Sequence, residues 1–355
     1  MQRRLFSLVM ASGLAAGLAG PVRAQQVPTL RVLTHSSFDL PADLLTNFER
    51  QAGVKLQVVK GGDAGEMLNR LILTRANPIA DVVFGIDNTL LPRALTAQVI
   101  EPYTGPAAQR PASAAMAEIA GPTGALGGVV PVDHGFVTLN IDKAWFAKAG
   151  LALPTRLEQL AEPAYARLLV VQNPATSSPG QAFLFANIAA MGEEAAFAWW
   201  AKLRANGVKV AKGWTEAYYT EFTRNGGTRP IVVSYASSPA AEVFYSKEKL
   251  TASPTANLFL KGGVFRQVEG VALVRGGNPA VRGAAGQFIE FLRSAPAQQA
   301  LQTSMWMYPA EPGVPLAEVM QQHAVAPQTY DNPPTALMQE KGRAWVQQWT
   351  RTVLR

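Results

Sequence analysis

The stretch Thr29–Lys60, TLRVLTHSSFDLPADLLTNFERQAGVKLQVVK, sets out the pattern on which the fold depends. Its apolar residues from Leu30 to Leu33 predict a short buried strand that ends in a polar loop. Apolar residues at helical spacing follow, and Gly53 predicts the end of that helix. The apolar run after the glycine predicts a second strand. Strand, helix and strand in this order are typical of an α/β domain with a largely parallel sheet.

The same plan continues along most of the chain. A loop and a helix that is predicted to stop at Pro78 follow the second strand, and Val82–Gly85 predicts a third. Two longer extended segments, GGVVPVDHGFVTLN and FRQVEGVALVRGG, have the length of strands that cross from one lobe to another. In open α/β sheets a ligand binds beyond the carboxyl ends of the strands. The sequence therefore predicts a ligand cleft between two lobes.

The two crossings also divide the chain. Residues 25–132 and 266–355 are assigned to the first lobe, and residues 133–265 to the second. The C-terminal helices are assigned to the first lobe. Because Trp345 and Trp349 are four residues apart, they are predicted to lie on one face of the last helix.

The chain opens with a segment that is typical of export. Two arginines precede an apolar run from Leu5 to Gly20, and small residues follow around Ala24, at the spacing that signal peptidase reads. The run is too short and too rich in glycine and alanine for a stable membrane span. We therefore predict a cleaved signal peptide over residues 1–24, a mature protein that begins near Gln25, and a periplasmic location.

The composition excludes several classes of site. Removing residues 1–24 leaves 29 Lys and Arg against 25 Asp and Glu, so the formal charge falls from +7 to +4. Lysine and arginine do not alternate with aromatic residues in any cluster, so nucleic acid is not an expected partner. There is no cysteine, and the three histidines are far apart in sequence. We therefore predict neither a metal site nor a cofactor.

Several motifs together point to one family. The stretches KGWTEAYYTEF, VVSYASSPA, WMYPA, GDAGEMLNRL and NPATSSPG closely resemble the periplasmic thiamine-binding proteins of ABC importers. These and further matches come in the family's order and cover nearly the whole mature chain. The resemblance implies a type II periplasmic-binding-protein fold that closes on thiamine or its phosphates without catalysis. It also implies an ABC permease as partner, and we expect the protein to be a monomer.

The aromatic candidates suit the cationic thiazolium ring of thiamine. A delocalised cation is attracted to aromatic faces by about 0.5–2 kcal/mol per contact. The resemblance implies Trp214, Tyr235 and Trp306 as ligand contacts, and Tyr218 and Tyr308 are further candidates. Any one of them is as often an ordinary core residue. Within the same aromatic segment, Tyr219 and Phe222 are predicted to be partly core.

Polar candidates lie at the starts of two predicted helices. Asp63 matches a ligand position of the family and is also a good helix N-cap, and the two roles can coexist. Ser177, Ser178 and Gly180 begin an apolar helix whose exposed N–H groups and dipole favour an anion. The resemblance implies that they hold the phosphate of a thiamine phosphate, although N-capping alone is the simpler interpretation.

Three positions depart from the family's pattern. His35, His134 and Ala241 stand where the family has tyrosine, and His35 is kept as a candidate ligand residue. Loss of one stacking wall weakens binding by about 1–2 kcal/mol or changes the preferred ring. Phe244 or Tyr245 is the candidate replacement for the wall lost at Ala241.

Three other functions stay open. The adjacent Tyr218 and Tyr219 are the kind of pair that binds ferric iron in proteins of the same fold. A polyamine-binding protein would use several carboxylates, and Asp63, Glu216 and Glu221 are available. A thiamine-processing enzyme is disfavoured, because the chain lacks cysteine and the G-x-S-x-G motif of serine hydrolases.

Overall fold

The computed structural model describes residues 27–110 and 128–355. The predicted signal peptide lies outside these ranges. Within them, no helix combines the length and the apolar character that crossing a bilayer requires.

The described strands form one mixed sheet of 11 strands. Their bounds are β1 Thr29–Thr34, β2 Lys55–Lys60, β3 Val82–Asp87, β4 Ile100–Glu101, β5 Val130–Asp142, β6 Leu169–Gln172, β7 Lys209–Ala211, β8 Ile231–Tyr235, β9 Thr255–Leu258, β10 Phe265–Val274 and β11 Tyr308–Pro309. The main order across the sheet is β2-β1-β3-β10-β5-β8-β6-β7. The strands β4, β9 and β11 pair with β10 or β5 beside this path.

The centre of the sheet differs from its two ends. Strand β1 pairs in parallel with β2 and β3, and β6 pairs in parallel with β7 and β8. Between these parallel groups, β5 and β10 pair antiparallel with each other and with their outer neighbours. Both central strands are buried along their whole length. The prediction of an α/β fold with two long connecting strands is therefore confirmed.

Helices cover the sheet and connect its strands. The α-helices are α1 Ala42–Ala52, α2 Ala64–Leu73, α3 Leu91–Thr96, α4 Pro106–Gln109, α5 Lys143–Ala149, α6 Pro163–Ala166, α7 Ser178–Met191, α8 Glu193–Ala205, α9 Trp214–Glu216, α10 Ser238–Phe244, α11 Arg282–Leu292, α12 Ala295–Ser304, α13 Glu318–His323 and α14 Thr335–Trp349. Single 3₁₀ turns cover Leu157–Ala161, Thr223–Asn225 and Pro279–Val281, and π-helical turns cover Ala217–Glu221 and Thr350–Leu354.

Local sequence determines where the first two helices end. Helix α1 ends at the predicted Gly53, whose left-handed backbone (φ 64°) costs a glycine little and whose N–H donates to the Glu49 carbonyl. Helix α2 ends at Leu73, earlier than the predicted stop at Pro78. The Thr74 N–H and hydroxyl both donate to the Arg70 carbonyl, at 3.0 and 2.8 Å.

Two large groups of buried side chains stabilise the two halves of the sheet. One lies around β1, β3 and the outer part of β10, on both faces of that part of the sheet. The other lies around β6, β8 and helices α7 and α8, and includes Phe185 and Trp200. Trp345 and Trp349 share one buried helix face, as predicted, and pack edge-on against these two side chains at 5.3 and 5.4 Å.

The last helix contacts both halves of the molecule. Trp345 and Trp349 pack in the core of residues 137–265, and the same helix also contacts α3 of the first half. Its assignment to the first lobe and the lobe boundaries stay predictions.

Candidate ligand-binding site

A cavity of about 780 Å³ lies between the two halves of the molecule. The first half contributes the loop after β1 and the start of α2, and the second contributes residues 212–246 and the start of α7. Glu269 on β10 and residues 305–307 complete the wall. This place, beyond the carboxyl ends of the parallel strands, is where an α/β sheet is expected to bind a ligand.

The cavity brings together most of the residues that the sequence predicted. Those that line it are His35, Asp63, Ser178, Trp214, Tyr218, Tyr235 and Trp306. Ser177, Gly180 and Tyr308 are not among its lining residues. Ligand contact by any of the predicted residues stays a prediction, but seven side chains from six separate segments line one cavity.

Trp214 and Tyr218 form an aromatic wall whose orientation is held by hydrogen bonds. Their rings stack with centroids 5.1 Å apart and planes 20° apart. The indole N–H of Trp214 donates to the Ser234 hydroxyl at 2.8 Å, and the Tyr218 hydroxyl donates to Glu242 at 2.8 Å. Because both polar tips are engaged, the two rings can present a fixed face to a ligand.

Trp306 also lines the cavity, and its backbone conformation is unusual. Its φ of 61° lies in the left-handed region, which is costly for a large side chain. The Ser237 hydroxyl donates to its carbonyl at 2.6 Å, and the rings of Phe244 and Tyr245 meet its ring edge-on at 5.3 and 5.6 Å. A strained residue that its neighbours hold in place is a common sign of a functional position.

Asp63 joins the two halves next to the cavity. One carboxylate oxygen accepts from the Ala64 N–H at 2.7 Å, which is the predicted N-cap. The other accepts from the Trp214 N–H at 2.8 Å. Gly213 permits this approach, because a Cβ at that position would lie 2.8 Å from the carboxylate oxygen. Burial raises the pKa of Asp63, and the hydrogen bonds from Trp214 and Ala64 oppose that shift.

At the predicted anion site, Ser178 and Pro179 of α7 line the cavity, whereas Ser177 and Gly180 do not. A Cβ at Gly180 would lie 2.6 Å from the Gln172 carbonyl oxygen, so this glycine serves close helix–strand packing. Ser177 is buried and its hydroxyl lies near the Asp63 carboxyl, whose pKa it lowers. The Ser178 hydroxyl accepts from Gln267 at 3.1 Å. A phosphate here would meet the Asp63 carboxylate, so the geometry does not favour it.

Tyr308 is a core residue rather than a wall of the cavity. It is buried, its ring stacks on His134 at 5.3 Å, and its hydroxyl donates to the Ala324 carbonyl at 3.0 Å. The pairing of β11 with β5 places Tyr308 opposite His134, away from the cavity. His134, which stands where the family has tyrosine, is likewise not among the lining residues.

Some lining residues were not predicted as site residues. Tyr219 was expected to be partly core, but its side chain is 56% exposed and lies at the rim, whereas Phe222 is fully buried. Tyr245 lines the cavity beside Ala241, and Phe244 supports Trp306 from behind. Glu269 was missed, although a carboxylate within the apolar run FRQVEGVALV is a signal that could have found it.

The lining carries more acidic than basic side chains. The acidic ones are Asp63, Glu66, Glu216, Glu242 and Glu269, and the basic ones are Lys212 and Arg224. Both cations are paired, Lys212 with Glu66 at 2.7 Å and Arg224 with Glu242 at 3.0 Å. His35 contacts Glu269 at 2.8 Å. The remaining excess of carboxylates favours a positively charged ligand.

A metal centre has no support in the part of the chain that is described. Over residues 27–110 and 128–355, no three side chains of His, Asp or Glu are grouped so that they could hold an ion.

Comparison with known proteins identifies the family. Residues 43–328 match the model of the bacterial extracellular solute-binding proteins. The thiamine-binding periplasmic protein of Salmonella typhimurium is 31% identical over 334 residues, covering 92% of this chain and 94% of the relative. The solved structure of a periplasmic thiamin binding protein aligns with a TM-score of 0.76 and 29% identity over 92% of this chain and 97% of that one.

A more distant structure shows the fold alone. The ferric binding protein from Campylobacter jejuni aligns with a TM-score of 0.71 at 18% identity, over 91% of this chain and 99% of that one. The chain therefore belongs to the bacterial extracellular solute-binding protein family, and it resembles the family's periplasmic thiamine-binding members along nearly its whole length.

Proposed function

We propose that this protein captures thiamine in the periplasm, between the two halves of its sheet, and delivers it to the permease of an ABC importer. One observation carries the proposal. Trp214, Tyr235 and Trp306, which are distant in sequence, line one cavity together with an excess of carboxylates. Aromatic faces and negative charge are what a flat organic cation requires.

The walls suggest how the ligand is held. The stacked pair of Trp214 and Tyr218 and the separate ring of Trp306 line the cavity and can contact the two rings of thiamine. Each aromatic contact with the thiazolium contributes about 0.5–2 kcal/mol. Tyr245, beside Ala241, takes the place of the stacking wall that the sequence lacks there.

The charges suggest a preference among the forms of thiamine. Lys212 and Arg224 are both already paired with glutamate, and Asp63 lies near the start of α7. Added phosphates would therefore face carboxylates without a free cation to offset them. We expect the affinity to fall in the order thiamine, thiamine monophosphate, thiamine diphosphate.

Contacts between the halves are suited to closure around a ligand. Besides Asp63 and Trp214, the Glu66 N–H donates to the Thr176 carbonyl at 3.1 Å, and the Glu66 carboxylate pairs with Lys212. These bonds form only when the halves meet beside the cavity. We expect ligand to favour this closed arrangement, as in hinged domain closure. A ligand that binds without reducing the radius of gyration in small-angle scattering would contradict this mechanism.

Ferric iron is the less favoured ligand. Proteins bind Fe(III) through ionised phenols, but burial and the neighbouring Glu242 raise the pKa of Tyr218 well above its usual value. Burial also raises the pKa of Tyr219. A polyamine is less favoured because Glu66 and Glu242 are already paired with cations of the protein.

Titration calorimetry tests the proposal directly. The mature protein is unfolded and refolded to remove any ligand carried through purification, and is then titrated with thiamine, its two phosphates, Fe(III) and spermidine. Submicromolar binding of thiamine supports the proposal. Binding of Fe(III) or spermidine with no response to any thiamine form would overturn it.

A further inference from the structure

Three buried carboxyl groups lie side by side on neighbouring strands next to the cavity. Asp87 on β3 stands opposite Glu269 on β10, and Glu269 stands opposite Asp133 on β5. Residues directly opposite in paired strands project to the same face of a sheet. All three are at most 5% exposed. The row occupies the central strands, where the two halves of the molecule join.

Hydrogen bonds favour the ionised form of Asp87, although burial opposes it. One of its oxygens accepts from the Thr89 N–H, the Thr89 hydroxyl and the Leu90 N–H at 2.7–2.9 Å. The other accepts from the Gln267 amide at 2.6 Å. Four donors on one carboxyl stabilise its charged form. Burial nevertheless raises the pKa of Asp87 to about 6.

Gln267 connects Asp87 to the cavity. The same amide nitrogen also donates to the Ser178 hydroxyl at 3.1 Å, and the amide oxygen accepts from the Tyr235 hydroxyl at 3.0 Å. Ser178 and Tyr235 both line the cavity. Asp87 is thus separated from a bound ligand by a single layer of side chains.

Glu269 is itself a lining residue and contacts His35. The His35 Nε2 lies 2.8 Å from a Glu269 oxygen. Gly85 leaves the space for this pair, because a Cβ there would lie 2.5 Å from the His35 Cδ2 and 3.2 Å from that oxygen. Burial disfavours the imidazolium, but the Glu269 carboxylate outweighs it, and the pKa of His35 is raised overall.

Asp133 differs from its two neighbours because it has no donor. Neither of its oxygens accepts a hydrogen bond from an N–H or hydroxyl group of the described residues. Burial and the adjacent Glu269 carboxyl raise its pKa well above the usual value. Two adjacent carboxyl groups form a hydrogen bond when one of them keeps its proton. Asp133 therefore holds a proton more tightly than an exposed aspartate does.

The remaining charges leave the row negative. The groups that face it are His35, Lys60, Asp63 and Tyr235, from the ends of β1, β2 and β8 and the start of α2. Lys60 is exposed and screened by water, so His35 is the only buried cation among them. The carboxyl groups of Asp87, Glu269 and Asp63 outnumber it. Buried charge that lacks a partner is costly, and a cation in the cavity would supply that partner.

We propose that Asp87 and Glu269 are specificity determinants that select ligands with a permanent positive charge over neutral ligands of the same shape. The inference rests on the proposed function, because it names the positive charge of thiamine as the property that the site recognises. The aromatic walls accept any flat ring of suitable size, and the charged row distinguishes among such rings.

A linked release of protons follows from this arrangement. A bound cation stabilises the ionised form of Asp87 and so lowers its pKa. Ligand binding near pH 6 therefore expels a proton, and the affinity for a cation rises with pH until Asp87 is fully ionised in the free protein. The affinity for a neutral ligand has no such dependence.

The decisive experiment compares thiamine with its neutral isostere in which a thiophene replaces the thiazolium ring. Calorimetric titrations at pH 7.5 give the ratio of the two affinities for the wild type, Asp87→Asn, Glu269→Gln and the control Glu193→Gln, which removes a carboxylate outside the cavity. We expect the wild type to prefer thiamine by about tenfold or more. The ratio should fall several-fold in the first two variants, with the affinity for the isostere retained, and stay unchanged in the control.

The outcomes separate this inference from the proposed function. If the wild type binds neither compound, the proposed function is wrong. If it binds both equally, or if Asp87→Asn and Glu269→Gln weaken both equally, the inference is overturned. Should one variant fail to fold, the other decides, and the wild-type affinity ratio must in addition increase between pH 5.5 and 7.5. Both ligands carry the same aminopyrimidine, so its own titration cancels in that ratio.

Discussion

The walls and the base of the cavity are built from different residues for different tasks. The walls are aromatic side chains on loops and helix starts, chiefly Trp214, Tyr218 and Trp306. The base is Glu269, which lines the cavity from β10, with Asp87 behind it on β3. Stacking selects for shape and is short in range, whereas buried charge acts through a layer of side chains. Substitutions in the walls should therefore change which ring shapes bind, and substitutions in the base should change which ligand charges bind.

Removing the main wall should have the largest effect on affinity. Trp214→Ala deletes the ring that stacks on Tyr218 and the indole that bonds to Ser234. We expect thiamine to bind about 2–3 kcal/mol more weakly, since stacking and cation–π contacts are both lost. Calorimetry measures this, and Trp214→Phe is the matched control that should recover much of the loss. Equal losses in the two variants would show that the ring face is not what matters.

Weakening the contact between the halves should lower the affinity for thiamine although no aromatic ring is changed. In Gly213→Ala the new Cβ would lie 2.8 Å from the Asp63 oxygen and so disturb its bond to the Trp214 N–H. We expect a loss of about 1–2 kcal/mol in affinity, together with less compaction on binding in small-angle scattering. Gly283→Ala is the control, because no atom lies within 4 Å of its added Cβ. An unchanged affinity in Gly213→Ala would mean that closure does not depend on this bond.

The base should make the ligand-free protein more stable in mild acid. Because burial raises the pKa of Asp87 from 3.8 to about 6, the folded state binds its proton more tightly than the unfolded state does. This contribution is complete below the unfolded pKa and is lost as the pH rises through about 6. Asp87 should therefore make the free energy of unfolding about 1–2 kcal/mol higher at pH 5 than at pH 7.5.

The free energies of unfolding of the wild type and of Asp87→Asn, measured with denaturant at pH 5 and pH 7.5, give that contribution as a difference. The variant should show a smaller gain on acidification, because its side chain does not titrate. Saturating thiamine should also reduce the gain, since the cation favours ionised Asp87. An identical pH dependence in the wild type and the variant would refute the assignment of the shift to Asp87.

The smallest effect on affinity is expected outside both regions. Tyr308→Phe removes the hydroxyl that donates to the Ala324 carbonyl and leaves a buried acceptor without its partner. We expect a loss of stability of about 1–2 kcal/mol and no change in thiamine affinity. The comparison with Tyr235→Phe, whose lost hydroxyl contacts Gln267 at the cavity, tests this distinction. A weakened affinity in Tyr308→Phe would return Tyr308 to the site.

Sequence motifs found the walls better than the base. Trp214 and Trp306 lie in short aromatic clusters, and these clusters are among the motifs that resemble the thiamine-binding family. Asp87 and Glu269 stand singly in strands of mostly apolar residues, and their strands are about 180 residues apart. Only the pairing of β3 with β10 makes them neighbours.

Periodicity and turn residues by themselves determined the local elements. Alternating and helical apolar patterns predicted the strands, the helices and the two long central strands, because those patterns reflect which face of an element must be buried. Glycine at position 53 predicted a helix end, because only glycine adopts the left-handed backbone at little cost.

Tertiary structure alone decided which candidates share a cavity. Tyr235 and Tyr308 are both candidate ring walls in the sequence, yet the pairing of β11 with β5 buries Tyr308 and β8 brings Tyr235 to the cavity. Tertiary structure also placed Trp345 and Trp349 in the core of the second half and the three carboxyl groups in one row. The local pattern shows which face of each segment is buried. Which residues pack against that face depends on pairing between strands far apart in sequence, and no short stretch of sequence specifies that pairing.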